Sequence, residues 1–228
     1  FASLRQHGGI SGFPDPDARS RLLTLPRDAS TKIAEIVKRE ARHDPVMGRS
    51  DYRIFHQIVQ STTTQMTVFV LAVRRLALDG FVSGLRMANA TPDKVELRSL
   101  AMIRAINQPH IIIAHAERTS LDVIIVSNNL PVIMRSVPVA DSDAHPIHDV
   151  VSELERTIDS YNINHPHPLS QRLPVALTGE LSADLDLQAA VQERLGHPLA
   201  ELTCPFACPP GFAIANFIVN IGLVLGTR

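Results

Sequence analysis

Apolar and polar positions along this chain alternate in two periods, one near two residues and one near 3.6, and the switches between them mark its elements. Nothing periodic occurs over residues 1–19, where Gly8, Gly9, Gly12, Pro14 and Pro16 punctuate the chain, so residues 1–20 are expected to form a flexible tail. Residues 21–25 read as a short strand. Asp28 then stands where a carboxylate caps a helix. That helix turns Ala29, Ile33, Ile36, Val37 and Ala41 to one face and Lys32, Lys38, Arg39 and Arg42 to the other, and Asp44-Pro45 ends it. Residues 52–59 alternate as a half-exposed strand. Residues 66–73 are continuously apolar, as a strand covered on both faces must be, and the polar run 61–64 makes the turn between the two.

A second amphipathic helix carries Leu78, Phe81, Val82, Leu85 and Ala88 and ends near Thr91-Pro92. A short strand at 94–97 and a helix through Ile106 follow. Three strands then succeed one another at 111–113, 121–126 and 132–137, a meander whose second turn is Asn128-Asn129, because Asn tolerates left-handed backbone. Pro146 opens a long helix with Ile147, Val150, Val151, Leu154, Ile158 and Tyr161 in register. The remainder reads as a strand (173–178), a helix (182–195) closed by Gly196, a strand (199–202) and an apolar terminal helix (212–225). The alternation predicts an α/β fold with a mixed sheet.

Composition narrows the function classes. With 228 residues, 45% hydrophobic and 20% charged, the chain has enough apolar material for one large core or two lobes. A formal net charge of -1, no Trp and 4% aromatic residues argue against nucleic acid as a partner, since no field or stacking surface is evident. Cys204 and Cys208 fit neither Cys-x-x-Cys redox spacing nor a four-ligand zinc site, and are expected to be free thiols in a reducing compartment. The longest apolar run is shorter than the ~20 residues that span a bilayer, so direct membrane insertion is not expected. Because the chain begins with Phe1, an upstream piece is expected to have been removed or lost.

Other clusters read as structural. His145, His148, Asp141, Asp143 and Asp149 match no closed metal pattern and suit a polar linker and helix entrance. His165 and His167, each followed by proline, suit a rigid turn. No Gly-x-Ser-x-Gly elbow supports a nucleophile.

Three segments, in order, carry a resemblance. They are 68–73 with 95–101, then 116–123 with 130–137, and then 153–161 with Leu177-Thr178-Gly179. Together they resemble the actin-like family that contains bacterial FtsA and PilM, over most of residues 21–228. The resemblance implies an actin-like (ribonuclease H-like) mixed-sheet lobe at 94–228 and a small inserted α+β subdomain at 21–93. It also implies a nucleotide site near Ala116, Thr119, Ser120, Thr178 and Gly179, in a degenerate form.

Aligning Thr119 with the family's hairpin threonine puts Ile113 where an acid would hold metal-bound water, and His115 where the family has glycine. Isoleucine accepts no hydrogen bond, and an imidazole fills volume that a phosphate oxygen needs. Glu180 replaces a second glycine and brings negative charge toward a polyphosphate. The first phosphate loop is expected upstream of residue 1, and the link between Val139 and Pro146 is too short for the subdomain that closes over the base.

The expectation is therefore a cytoplasmic, non-catalytic scaffold of a type IV pilus or secretion platform, peripheral to the inner membrane through a PilN-like partner's cytoplasmic tail. Residues 21–73 would supply much of the groove, and no cofactor or metal is expected. ATP with magnesium would bind only a longer parent. The alternatives are an ATPase or kinase relative completed by a missing amino-terminal lobe, and an FtsA-like filament former; the resemblance also allows self-association.

Overall fold

The computed structural model describes residues 9–45, 47, 51–139 and 146–226. Two compact units share the chain: Phe1–Gly9 with Pro16–Lys94, and Ile10–Asp15 with Val95–Arg228.

In the first unit, β2 (Ala18–Pro26), β3 (Tyr52–Ser61) and β4 (Gln65–Arg74) form an antiparallel sheet in the order β2-β4-β3. The central strand is apolar and largely buried from Val68 to Val73, while β3, at an edge, leaves Phe55 and Ile58 exposed. Met66, Val68 and Val70 of β4 pack with Ile33 and Val37 of α1 (Ile33–His43), and Ala41 packs on Ala72 one turn later. Helical spacing on one side meets strand alternation on the other. The turn at 62–65 is tied by Thr62, whose Oγ1 accepts the Gln65 amide at 3.0 Å. Next comes α2 (Arg75–Met87), joined to β3 by Arg53 and Asp79 at 2.9 Å.

The second unit is built on β6 (His110–Ala116), β7 (Ser120–Ser127), β8 (Leu130–Pro138) and β9 (Val175–Thr178), in the order β8-β7-β6-β9. β6 is antiparallel to β7 and parallel to β9. β1 (Gly9–Phe13) pairs with β5 (Pro92–Leu97). On one face, Ile112, Val123 and Ile125 pack with Val150, Leu154 and Ile158 of α4 (Pro146–Asn164) and Leu187 of α5 (Leu185–Ala189). On the other, Ile111, Ile113 and Ile124 pack with Met102 and Ala105 of α3 (Arg98–Ile106) and Ile218 and Ile221 of α6 (Ile214–Leu225). α3 and α6 approach so closely that a Cβ on Gly222 would lie 1.9 Å from the Ala101 carbonyl oxygen. The β7–β8 turn has Asn128 and Asn129 at φ 52° and 62°, as the dipeptide foretold.

Several expectations need correction. Residues 9–20 are not a tail: they hold β1, a 3₁₀ turn (Asp15–Asp17) and the start of β2, with Phe13 and Asp15 buried; residues 1–8 lie outside the described residues. Gly12, a loop signal by itself, lies within β1, where a Cβ would come within 3.3 Å of the Arg98 side chain. Asp28 caps nothing, because a 3₁₀ turn (Arg27–Lys32) precedes α1 and puts Lys32 at its N-cap. The helix expected over 182–195 is split into a 3₁₀ turn (Glu180–Ala183), α5 and a π turn (Ala190–Arg194), with Asp184 capping α5 through its carboxylate. The strand at 199–202 is reduced to one bridge, Leu199 with Val175.

Cys204 and Cys208 are not free thiols. The proline-rich loop folds back until their Cα atoms are 6.7 Å apart, within disulfide reach, and they are joined. No helix among the described residues is long and apolar enough to cross a membrane.

Candidate functional site

Four polar residues interrupt the apolar sheet in a single row. Ser136 on β8, Asp122 on β7, His115 on β6 and Thr178 on β9 are successive register partners, so the row crosses the whole sheet on the face that α3 and α6 cover. His115, Asp122 and Thr178 are buried, and buried polar groups must find partners within the fold. Thr178 Oγ1 lies 3.0 Å from His115 Nδ1, and His115 Nε2 lies 3.2 Å from Glu117 Oε1. Burial, reinforced by the Arg98 guanidinium against the opposing pull of Asp122, holds the His115 ring down to about 4, so it is neutral at pH 7. The neutral ring meets both partners when Thr178 donates to Nδ1 and Nε2–H donates to the Glu117 carboxylate.

Asp122 accepts from Arg98 Nη2 at 2.8 Å and from the Ser136 hydroxyl. Arg98 opens α3, and beside it Asp15 Oδ2 accepts the Ser99 amide at 3.2 Å, satisfying one of the helix's free N–H groups from 84 residues away. Burial, with the Asp122 charge adding to it, pushes Asp15 up to about 7. Asp15 Oδ1 and Arg98 Nε are buried without a hydrogen-bond partner among the described residues.

The residues singled out for a nucleotide lie at the edge of this row. Ala116 ends β6, Ser120 starts β7, and the Glu117 amide closes the hairpin on the Ser120 carbonyl at 2.9 Å. Thr119 uses its carbonyl to accept the Val139 amide at 2.9 Å. Gly179 follows β9 at φ +87°, and a Cβ there would lie 2.5 Å from the Ala116 oxygen. Ala116, Thr178 and Gly179 are thus brought together, and Gly179 is required by the approach of the protein's own backbone. Above them, Arg118 Nε and Glu180 Oε1 form an exposed ion pair at 2.6 Å that links the hairpin to the loop after β9. Ile113 is wholly buried in the core between the sheet and α3/α6.

The other clusters disperse. His148 and Asp149 are surface neighbours at 3.7 Å, while Asp141, Asp143 and His145 lie outside the described residues. Among the described residues, no three His, Cys, Asp or Glu side chains converge as metal ligands would. His165 stacks on Tyr161 with ring centroids 3.9 Å apart.

Comparison with known proteins gives a fold. No protein-family model and no curated protein sequence matches. Among solved structures, the chain is similar to one in the PilM-PilN type IV pilus biogenesis complex, with a TM-score of 0.72 and 18% identity over 97% of this chain and 80% of that one. The chain has the PilM-type, actin-like fold. It is also similar to the cytoplasmic domain of EpsL, an inner-membrane component of the type II secretion system of Vibrio cholerae, with a TM-score of 0.58 and 12% identity over 100% of this chain and 78% of that one.

Arg98, Asp15, Asp122 and Ser136 went unrecognised in the sequence as one cluster. Asp122 left a signal, a lone acid inside the apolar run 121–126. Asp15 left none, because its partner is distant in the chain and its own neighbourhood resembles a loop.

Proposed function

We propose that this chain is a non-catalytic scaffold of a type IV pilus or type II secretion assembly, which holds the cytoplasmic tail of a PilN-like inner-membrane protein. The observation that carries the reading is the fold it shares, over 97% of its length, with a chain of the PilM-PilN complex. The chemistry of the expected nucleotide site supports the non-catalytic half: a neutral, buried imidazole is engaged with Thr178, Ile113 offers no ligand, and Arg118 and Glu180 spend their charges on each other. Fold alone would not decide this, since function lies in the site.

The partner's docking place in this reading is the outer edge of β3. This ten-residue strand has a ladder neighbour on one side only, and Phe55 and Ile58 offer apolar contacts to an added strand. The test is fluorescence anisotropy with a labelled peptide of a PilN-like tail, using the folded chain and a Phe55→Lys/Ile58→Lys variant. Saturable binding that the variant abolishes supports the scaffold; absence of binding by folded wild-type protein refutes it. Micromolar, magnesium-dependent binding of a labelled ATP analogue would instead revive the enzyme.

A further inference from the structure

The near-zero net charge conceals a segregation that appears once the units are drawn. Phe1–Gly9 with Pro16–Lys94 contains fourteen Lys and Arg against eight Asp and Glu, a formal +6; Ile10–Asp15 with Val95–Arg228 contains eight against fifteen, a formal -7; the two give the chain's -1. We propose that the first unit binds anionic phospholipid bilayers through the outer side of α1 and the flanking half of β2.

Ile33, Val37 and Ala41 are buried, so the opposite side of α1 faces solvent and carries Lys32, Lys38, Arg39 and Arg42. β2 extends the patch. Leu23 and Leu25 pack in the same cluster as Val37, and strand alternation puts Arg19 and Arg21 on that same side of the sheet. Register places them along the helix: Val37 packs with Val70, the partner of Arg21, and Ala41 packs with Ala72, the partner of Arg19. Six cations are set against two acids, Glu35 and Glu40. Arg39 pairs loosely with Glu40 at 3.7 Å, and among the described residues Arg19 bonds to backbone carbonyls alone. Arg21, Lys32, Lys38 and Arg42 form no ion pair among the described residues.

The shape selects the occupant. The outer side of a helix offers no groove or strand edge for an extended acidic peptide to follow, whereas clustered Lys and Arg are drawn to a surface of anionic headgroups whatever their spacing. Strand stacking on bases has no support here, since α1 carries no aromatic residue. The patch suits a second, electrostatic attachment beside a protein partner, because a single weak membrane signal gives only reversible binding. Each cation near an anionic surface raises partitioning about five-fold at modest ionic strength, so a net four gives a preference on the order of 600-fold over neutral lipid.

The experiment is co-sedimentation of the full chain with phosphatidylcholine vesicles and with vesicles containing phosphatidylglycerol. Binding only to the anionic vesicles, reversed by salt and lost in Lys38→Glu/Arg39→Glu/Arg42→Glu, is expected. Should that variant misfold by circular dichroism, the triple glutamine variant replaces it and should lose most of the binding. Arg75→Glu/Arg86→Glu on α2 should retain it. Equal binding to both vesicle types, or unaltered binding by the folded α1 variant, overturns the proposal. So does complete displacement from vesicles by polyglutamate or duplex DNA at equal charge concentration, which would reassign the patch to a macromolecule. The peptide assay at β3 reads a different surface, so failure of either idea leaves the other's readout intact.

Discussion

Asp15→Asn should make the protein more stable at pH 8 than the wild type, and less so as the pH falls. The folded state holds Asp15 at about 7 against an ordinary value of 3.8, chiefly through burial. A raised carboxyl group is a proton-linked liability: its stabilising contribution is complete below pH 3.8, declines as pH rises, and is lost above about 7. At about 1.4 kcal/mol per unit, ionised Asp15 costs about 4 kcal/mol at pH 8, an upper limit because a buried site relaxes around a charge. Asparagine keeps an oxygen for the Ser99 amide and turns its NH₂ toward the side where Asp15 Oδ1 has no donor and the Asp122 carboxylate is near. Urea unfolding followed by circular dichroism at pH 5 and pH 8 measures the effect, with amide exchange at Ser99 as a local readout. The advantage of the variant should grow by about 2–3 kcal/mol between the two pH values. A difference independent of pH, or a variant weaker than wild type at pH 8, would refute the reasoning.

Other substitutions test the same architecture. In the Asp15→Asn background, His115 should dominate the acid limb: its folded value of about 4 lies below the ordinary 6.5, so stability should fall between pH 6.5 and 4, by up to about 3 kcal/mol, less the opposing contribution of Glu117, which burial raises; His115→Gln should remove that fall in the same urea titration. Gly222→Ala should cost about 3 kcal/mol or more by thermal melt, since its Cβ would sit 1.9 Å from backbone that cannot swing aside. Gly179→Ala combines left-handed φ with a 2.5 Å clash and should likewise lower the melting temperature by several degrees. Glu180→Gly should change stability by less than about 1 kcal/mol, because its ion pair is exposed, and should not produce ATP-analogue binding in equilibrium dialysis while His115 stays in place.

The elements legible in the sequence were those whose periodicity came from burial by their own neighbours. α1, the β6–β7–β8 meander and α4 each show their buried faces directly, and Asn128-Asn129 named its own turn. The elements that misled were set by remote contacts. β1 looked like tail because Gly9 and Gly12 punctuate it and its partner strand β5 lies some eighty residues away, which nothing at residues 9–13 announces. Asp28 had the chemistry of a cap, but a 3₁₀ turn moved the helix start four residues on. The spacing of Cys204 and Cys208 is silent about how proline-rich backbone folds back to join them. At the candidate site, His115, Thr178 and Gly179 were found, yet Asp15 and Arg98 escaped because their meeting depends on tertiary packing.

The polar row and the segregated charge act on different scales, and each shows why totals mislead. Within the second unit, His115 pairs with Thr178 and Asp122 with Ser136, so these polar groups are engaged within the fold. A buried ionic network of this kind is weak evidence for stability, since apolar replacements of similar shape often do as well. Asp15 makes the point sharply: its acid side chain lowers stability at neutral pH, while an amide would keep the same helix contact. In the first unit the reverse holds, with cations displayed on α1 and few acids to quench them. One unit has thus used its charge to close itself, and the other presents its charge outward. Interactions with anionic surfaces therefore belong to the first unit, and pH sensitivity belongs to the second.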